Sequence, residues 1–135
     1  MKKKMTRKQK TSVLREQQSL ENRWEFDLAY QLMDEYNVTR SEALRRAHLT
    51  RELMDALGRG EVHFRYEKQD GTLREARGTL RHGISEAYDN YEYKTELSEK
   101  DYDTRLKFTY WDLDRGAFRS FSAMKVKEIV ELICK

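Results

Sequence analysis

The sequence has no proline and a single cysteine among its 135 residues. The absence of proline argues against a proline-rich linker. Cys134 has no partner for an internal disulfide, as expected for a protein of the reducing cytoplasm. No apolar run reaches the roughly eighteen residues of a transmembrane helix, and the basic N-terminus lacks the apolar segment of a signal peptide. We therefore expect one cytoplasmic domain, or a small core with an appendage.

Motifs for catalysis and for cofactor binding are also missing. The three histidines are not spaced as metal ligands, and the cysteine has no CxxC partner. The phosphate-loop pattern GxxxxGK[ST] does not occur. Asp112 and Asp114 flank a predicted turn, where carboxylates are usually solvated. The sequence therefore predicts a protein that is not an enzyme and that has neither a cofactor nor a metal site. The histidines are His48, His63 and His82.

Positive charge is concentrated at the N-terminus. Residues 1–15 carry seven of the 27 basic side chains and none of the 24 acidic ones, so the other residues carry 20 basic and 24 acidic groups, a net charge of −4. We predict that residues 1–12 form a disordered basic tail. Its lysines Lys2, Lys3 and Lys4 could contact nucleic acid, and the alternative is a tail that only aids solubility.

Residues 13–59 have the apolar spacing of two helices. The stripe of the first helix repeats every fourth residue and ends before Asn37. Thr39 and Glu42 then have the T-x-x-E spacing of a capping box. Gly58 and Gly60 are placed to end the second helix in a left-handed conformation. The stripe consists of Leu20, Trp24, Leu28 and Leu32.

Two helices with a short break between them are also compatible with a helix-turn-helix that reads DNA. Arg45, Arg46 and Arg51 would then lie on the recognition helix. The alternative is a helical hairpin that covers one side of a β-sheet, with these arginines on its solvated face. Acidic residues among the arginines favour the hairpin.

The remaining sequence predicts β-structure from residue 60 to residue 135. Residues 61–80 alternate apolar and polar residues around a Gln-Asp-Gly turn, which is typical of a hairpin. Leu73, Ala76 and Leu80 are predicted to share the apolar face of the return strand, and Gly78 indicates a bulge or a bend. Residues 106–121 repeat this design. For residues 126–133 a closing strand is favoured over a helix.

The segment between the hairpins, residues 81–105, is a long insertion rich in tyrosine and acidic residues. Seven acidic and three basic side chains lie between residues 86 and 105. This charge would repel phosphate, whereas Tyr88, Tyr91 and Tyr93 could anchor a protein partner. The alternative is a partly ordered surface insertion without a binding role.

Arginines and aromatic residues recur on the predicted strands. A cationic face that pairs with phosphates and stacks on bases could form from Arg65, Arg74, Arg77 and Arg119 together with Tyr66, Tyr110 and Trp111. The alternative is that the arginines pair with glutamates on neighbouring strands and that the aromatic residues belong to the core.

Three segments resemble a known family: SEALRRAH, LGRGEVHFRYEKQDGTLREARGTL and FTYWDLDRGAFRSFSAMKVKEI. The resemblance, over residues 41–129, is to small bacterial and mobile-element proteins designated SH3 β-barrel fold-containing proteins, whose function is unknown. It implies a five-stranded SH3-like barrel preceded by a helix. A weaker resemblance of YWDLDRGAFRSF is to WYL domains, which are Sm/SH3-like barrels that sense ligands including nucleic acids. Arg119 would match the strand arginine of that family.

Together these observations predict an α+β fold, with two N-terminal helices followed by a five-stranded SH3-like β-barrel. We expect a non-enzymatic interaction module of mobile-element or phage origin that binds nucleic acid or a nucleic-acid-associated complex. The alternative is a protein-binding factor, such as a counter-defence inhibitor or an assembly component. That factor would use the Tyr-rich acidic insertion and the first helix.

Overall fold

The computed structural model describes residues 23–92 and 106–134. The predicted basic tail, residues 13–22 of the predicted first helix (with Leu20) and residues 93–105 of the predicted insertion lie outside the described residues. Two helices come first, then five strands, with a one-turn helix between the second and third strands. Their bounds are α1 (residues 23–36), α2 (Arg40–Arg59), β1 (Gly60–Glu67), β2 (Leu73–Thr79), α3 (Glu86–Asp89), β3 (Lys107–Asp112), β4 (Ala117–Ser122) and β5 (Val126–Cys134).

The five strands form one antiparallel sheet in the order β4-β3-β2-β1-β5. The predicted order of two helices followed by five strands is confirmed, as is the strand predicted for residues 126–133. The sheet is open, because β4 and β5 are its two edges and no ladder joins them in the part of the chain that the structure describes. The described helices include none that is both long and apolar enough to cross a membrane.

The β1–β2 hairpin is confirmed together with its turn. The Lys68 amide donates to the Thr72 carbonyl at 2.8 Å, and the Asp70 carboxylate accepts from the Thr72 amide at 3.0 Å. Gly71 closes the turn at φ +87°. The Asp70 contact is the local side-chain bond that makes Asp favourable in turns.

One face of the sheet, which we call the inner face, carries the core. On β1, Val62, Phe64 and Tyr66 point inward as predicted, and α2 contributes Leu53 and Leu57. The apolar face predicted for β2 was wrong at one position, because Leu73 is 59% exposed and lies opposite Glu67. Arg74, opposite Tyr66, takes the inward position instead.

Gly78 does not mark a bulge, because β1 and β2 pair without interruption through Val62 and Gly78. The glycine is required by a close approach. A Cβ atom at this position would lie 2.5 Å from Cδ2 of Tyr110 and 3.2 Å from the Trp111 carbonyl oxygen. The Tyr110 ring can therefore lie against the backbone of β2 only at a residue that has no side chain.

Two register shifts interrupt the pairing of β1 with the edge strand β5. One lies between His63 and Phe64 and the other between Arg65 and Tyr66 on β1. The β5 side chains near these shifts include Lys127, Glu128 and Glu131, which are exposed. Such irregularities bend a strand and increase its local twist.

Helix α2 begins at the predicted cap, because Thr39 Oγ1 accepts from the Glu42 amide at 3.2 Å. The reciprocal half of the predicted capping box is not seen: the Glu42 carboxylate instead pairs with Arg45 and Arg46. The helix ends at Gly60, one of the two predicted glycines, but not in the predicted left-handed conformation. Gly60 is extended, at φ 176°, and its amide donates to the Ala56 carbonyl, whereas Gly58 lies within the helix.

Helix α1 packs on α2 through small and aliphatic side chains. Leu28, Ala29 and Leu32 are buried against Ala43 and Ala47. At the edge of this contact, the Glu25 carboxylate accepts from His48 Nδ1 at 2.9 Å and also pairs with Arg51. The hydrogen bond to Glu25 is the main cause of the raised pKa of His48.

The arginines of the possible recognition helix are engaged within the fold. Arg46 donates to the Val126 carbonyl on β5, and Arg51 pairs with Glu25 and Asp55. Arg45 pairs with Glu42 on the same helix. These contacts favour the helical hairpin over the DNA-reading arrangement.

Alanine at Gly71 or Gly116 is expected to lower the free energy of unfolding by about 1 kcal/mol each. Both glycines have positive φ, +87° and +63°, where a Cβ atom is strained. Urea unfolding of each single variant measures the effect. If both variants unfold at the midpoint of the wild type, these turns are not maintained as described.

Candidate functional site

A cleft of about 610 Å³ opens where the tip of the β1–β2 hairpin faces strand β4. One wall is residues 66–70, at the end of β1 and in its turn. The other wall is residues 118–122 of β4, and Lys107 and Lys125 lie beside them. Because β4 is an edge of the open sheet, the cleft runs along a strand that has a neighbour on one side only.

The cleft is lined by five basic and two acidic side chains, which gives its lining a net charge of +3. We call it the cationic cleft. Its charge contrasts with the net −4 of residues 16–135. Its ionisable lining residues are Lys68, Arg74, Lys107, Arg119, Lys125, Glu67 and Asp70.

The inner end of the cationic cleft is fixed by a buried ion pair. Asp112 is 1% exposed, and its Oδ2 accepts from Arg74 Nη2 at 2.7 Å. Its Oδ1 accepts from the backbone amides of Asp114 and Arg115 at 3.0 and 3.1 Å. One carboxylate therefore holds both the Arg74 guanidinium and the β3–β4 turn. The prediction that the Asp112 carboxylate is solvated was wrong.

The described residues do not satisfy every donor of the Arg74 guanidinium. Its Nε is buried and has no hydrogen-bond partner among them. Burial, the largest single effect, opposes the charge of Arg74, but the hydrogen bond to Asp112 and the electrostatic interactions with Tyr66, Tyr110 and Asp112 together outweigh it, and the pKa of Arg74 is raised. The side chain is thus a permanent cation that lines the cleft.

Arg119 extends the same charge toward solvent. Its Nε lies 3.6 Å from Oδ2 of Asp112, and its side chain is 40% exposed. Strand β4 places it opposite Tyr110, on the inner face and at the mouth of the cationic cleft. Lys125 is positioned by a 3.4 Å contact from its Nζ to the Lys68 carbonyl oxygen.

Aromatic rings lie beneath these cations. The hydroxyls of Tyr66 and Tyr110 are 2.9 Å apart and buried, and the Phe64 and Tyr110 ring centroids are 5.0 Å apart. Burial raises the pKa of Tyr110 well above its ordinary value, so this hydroxyl stays protonated. Phe118 is half-buried and lines the cleft.

The structure does not bring the predicted cationic face together. Arg65 and Arg77 point outward from β1 and β2, where Arg65 pairs with Glu75 and Glu128 and Arg77 pairs with Glu61. Trp111 is 2% exposed. Of the residues predicted for this face, Tyr66, Arg74 and Arg119 line the cationic cleft. Lys2, Lys3 and Lys4 lie outside the described residues.

The predicted protein-binding tyrosines lie on the opposite side of the β3–β4 hairpin. Tyr88 is buried and packs on Trp111 at a centroid distance of 5.4 Å. Tyr91 is 40% exposed and packs on Phe118 at 5.0 Å. Tyr93 lies outside the described residues. Tyr88 therefore serves the fold, and Tyr91 is only partly exposed.

Sequence patterns did not point to most of the cleft. Lys68, Lys107 and Lys125 come from a turn, a strand and a loop, and no spacing connects them. Arg74 was among the predicted strand arginines, and strict alternation from Ala76 places it inward. Within residues 23–92 and 106–134, no group of three or more His, Cys, Asp or Glu side chains is arranged to hold a metal ion.

Comparison with known families gives one finding. The family model described as WYL_2, Sm-like SH3 beta-barrel fold, matches residues 50–127, more than half of the chain. The matched region begins midway along α2 and continues through the first residues of β5. No match was found among curated proteins or among solved structures.

Proposed function

Because this chain belongs to the WYL_2 family, whose fold is an Sm-like SH3 β-barrel, we propose that it is a non-enzymatic binding module. We propose further that its cationic cleft holds a single strand of nucleic acid. The observation that supports this most is the segregation of charge, with a lining of +3 on a body of net −4.

The shape of the site favours a separated strand over a duplex. Reading duplex DNA requires an element that projects into a groove, whereas the cationic cleft is concave and about 610 Å³ in volume. Proteins that bind single strands combine a positive groove with aromatic rings on which bases stack. Here the lysines and Arg119 supply the positive groove. Phe118 borders it, with its ring packed on Tyr91 and Trp111 on the other side of the hairpin.

Each cation has a defined part in this proposal. Lys68, Lys107 and Lys125 contact phosphates along the strand, and Arg119 pairs with a phosphate at the mouth. Arg74 adds its positive charge at the inner end. The basic tail, with Lys2, Lys3 and Lys4, adds sequence-independent contacts beyond the cleft.

The open sheet suits this role and also suggests how the barrel is completed. We propose that the sheet curls into an SH3-like barrel whose seam, between β4 and the β1–β2 tip, is the cationic cleft. The resemblance to small bacterial and mobile-element proteins supports a mobile-element or phage origin, which stays a prediction.

Charge reversal at Lys68 and Lys107 tests the proposal. We expect Lys68→Glu/Lys107→Glu to weaken binding of a labelled single-stranded oligonucleotide at least roughly tenfold at low salt. We also expect the slope of log affinity against log salt to fall by roughly 1.4, since each lost phosphate contact removes about 0.7. Fluorescence anisotropy across a salt series measures both.

The matched control is Arg23→Glu/Arg40→Glu, which changes the net charge equally at exposed positions on α1 and α2. Glutamate at position 40 also suits the N-terminal end of α2. Equal losses in both double variants would attribute binding to overall charge. Wild-type binding by the cleft variant would contradict the proposal.

A second candidate function, protein binding, is favoured by exposed aromatic side chains on α1. Phe26 and Tyr30 are one turn apart and 51% and 75% exposed, and large exposed apolar side chains that cluster often mark interaction sites. A defined partner bound by wild type and by the cleft variant, but not by Phe26→Ser/Tyr30→Ser, would establish this function.

A further inference from the structure

The cationic cleft runs along the backbone of β4 as well as along its side chains. Five consecutive residues, 118–122, line it. Side chains of a strand point alternately to its two faces, so five successive residues can border one cleft only if the cleft lies against the strand's edge. On that side β4 has no neighbouring strand in the sheet.

The register of the β3–β4 hairpin shows which backbone groups lie on this edge. The Asp112 carbonyl accepts from the Gly116 amide at 2.8 Å, so it points toward β4, and Asp112 lies opposite Ala117. Groups of Ala117, Arg119 and Phe121 therefore point toward β3, and those of Ser120 point away from it.

Contacts at both ends of β3 agree with this assignment. The Ala123 amide donates to the Leu106 carbonyl at 2.9 Å, as expected if odd-numbered residues of this segment face β3. The Leu113 amide donates to the Arg77 carbonyl at 2.8 Å, in the opposite direction, toward β2. Among the described residues, the N–H and C=O of Ser120 have no hydrogen-bond partner, and both face the cationic cleft.

We propose that the main chain of Ser120 reads a base of the bound strand, an inference that rests on the proposed function. One residue offers a donor and an acceptor side by side. A phosphate has only acceptor oxygens, so it could use the N–H but not the C=O. The edge of a base presents a donor and an acceptor together, and matches both.

The flanking charges select this occupant over a peptide. An extended peptide could also pair with a strand edge, but Arg119, Lys107 and Lys125 beside Ser120 favour a chain with regularly spaced negative charges. Phosphates on these cations would hold the strand so that one base turns toward β4. The cations then supply affinity, and Ser120 supplies the preference for a base.

The experiment compares a labelled oligouridylate with an abasic strand of the same length, by anisotropy at fixed salt. We expect wild type to bind the base-bearing strand roughly tenfold more tightly. Ser120→Pro removes the N–H, and proline is tolerated on an edge strand when its nitrogen faces outward. We expect this variant to bind both strands at the abasic level with an unchanged salt slope. Ser120→Ala, which keeps the N–H, should retain the preference.

The outcomes separate this inference from the proposed function. Equal binding of both strands by wild type overturns the base contact and leaves the phosphate cleft intact. Binding of neither strand overturns both proposals. Displacement of the oligonucleotide by an acidic peptide whose own binding is lost in Ser120→Pro would make the edge a peptide site and overturn the inference. If Ser120→Pro fails to fold, the comparison of strands on wild type decides alone.

Discussion

Replacing Asp112 with alanine is expected to lower the free energy of unfolding by about 3–5 kcal/mol, because removing one member of a buried ion pair leaves the other charge uncompensated. The Arg74 side chain is 12% exposed and would lose its only carboxylate partner at hydrogen-bond distance among the described residues. The two amides of the β3–β4 turn would lose their acceptor as well. Urea unfolding monitored by circular dichroism measures the loss.

Asp112→Asn and a double variant separate the contribution of the ion pair to this loss from that of the turn hydrogen bonds. Asparagine keeps an oxygen for the turn amides and removes the charge. Arg74→Met/Asp112→Asn removes both charges, and we expect it to be more stable than Asp112→Asn alone, since an apolar replacement of a buried pair is often neutral. A double variant no more stable than the single one would show that the ion pair is not the main contribution.

Gly78→Ala is expected to destabilise the fold by about 3 kcal/mol, near the upper end of the usual cost of overpacking. The added methyl group would lie 2.5 Å from Cδ2 and 3.1 Å from Cε2 of Tyr110. Tyr110 is fully buried and bonded through its hydroxyl to Tyr66, so its ring cannot swing aside. Thermal or urea unfolding measures the effect.

Gly58→Ala is the matched control for this substitution. A Cβ at Gly58 meets nothing within 4 Å, and the residue lies inside α2. Alanine there should raise stability by up to about 1 kcal/mol. If Gly78→Ala were as stable as Gly58→Ala, the close approach of Tyr110 to β2 would be wrong.

Most of the fold could be predicted because local periodicity determines it. Alternation over Val62, Phe64 and Tyr66 gave the inner face of β1, and the Asp70-Gly71 turn determined where the hairpin reverses. Thr39 predicted the start of α2. These signals involve residues that are close together in sequence. The structure contains the strand pairing and the helix cap that they predict.

The predictions that were wrong depend on interactions between residues that are distant in sequence. The pairing of Arg74 with Asp112 joins positions 38 residues apart, and no local pattern indicates that a turn aspartate is buried. Gly78 was read as a bulge because its real cause, the Tyr110 ring, comes from another strand. Leu73 was placed inward on its hydrophobicity, although its register with Glu67 turns it outward.

The candidate site was harder to predict than the fold for the same reason. Arg65, Arg77 and Arg119 look equivalent in sequence, but the first two neutralise glutamates across the sheet while Arg119 lines the cleft. Only the curvature that brings the β1–β2 tip to β4 distinguishes them. Lysines that lack any sequence motif become neighbours through that curvature.

The irregular pairing of β5 also has a consequence for the protein at high concentration. A long, flat edge strand is a template on which other copies can stack into aggregates. Here two register shifts bend β5, and Lys127, Glu128 and Glu131 place charges along it. At the other edge, β4, the like-charged clefts of two copies would repel each other and oppose such stacking. Added salt screens that repulsion but does not change the bends in the backbone of β5. We therefore expect any self-association that salt promotes to proceed through β4. An oligonucleotide that occupies the cleft should slow it.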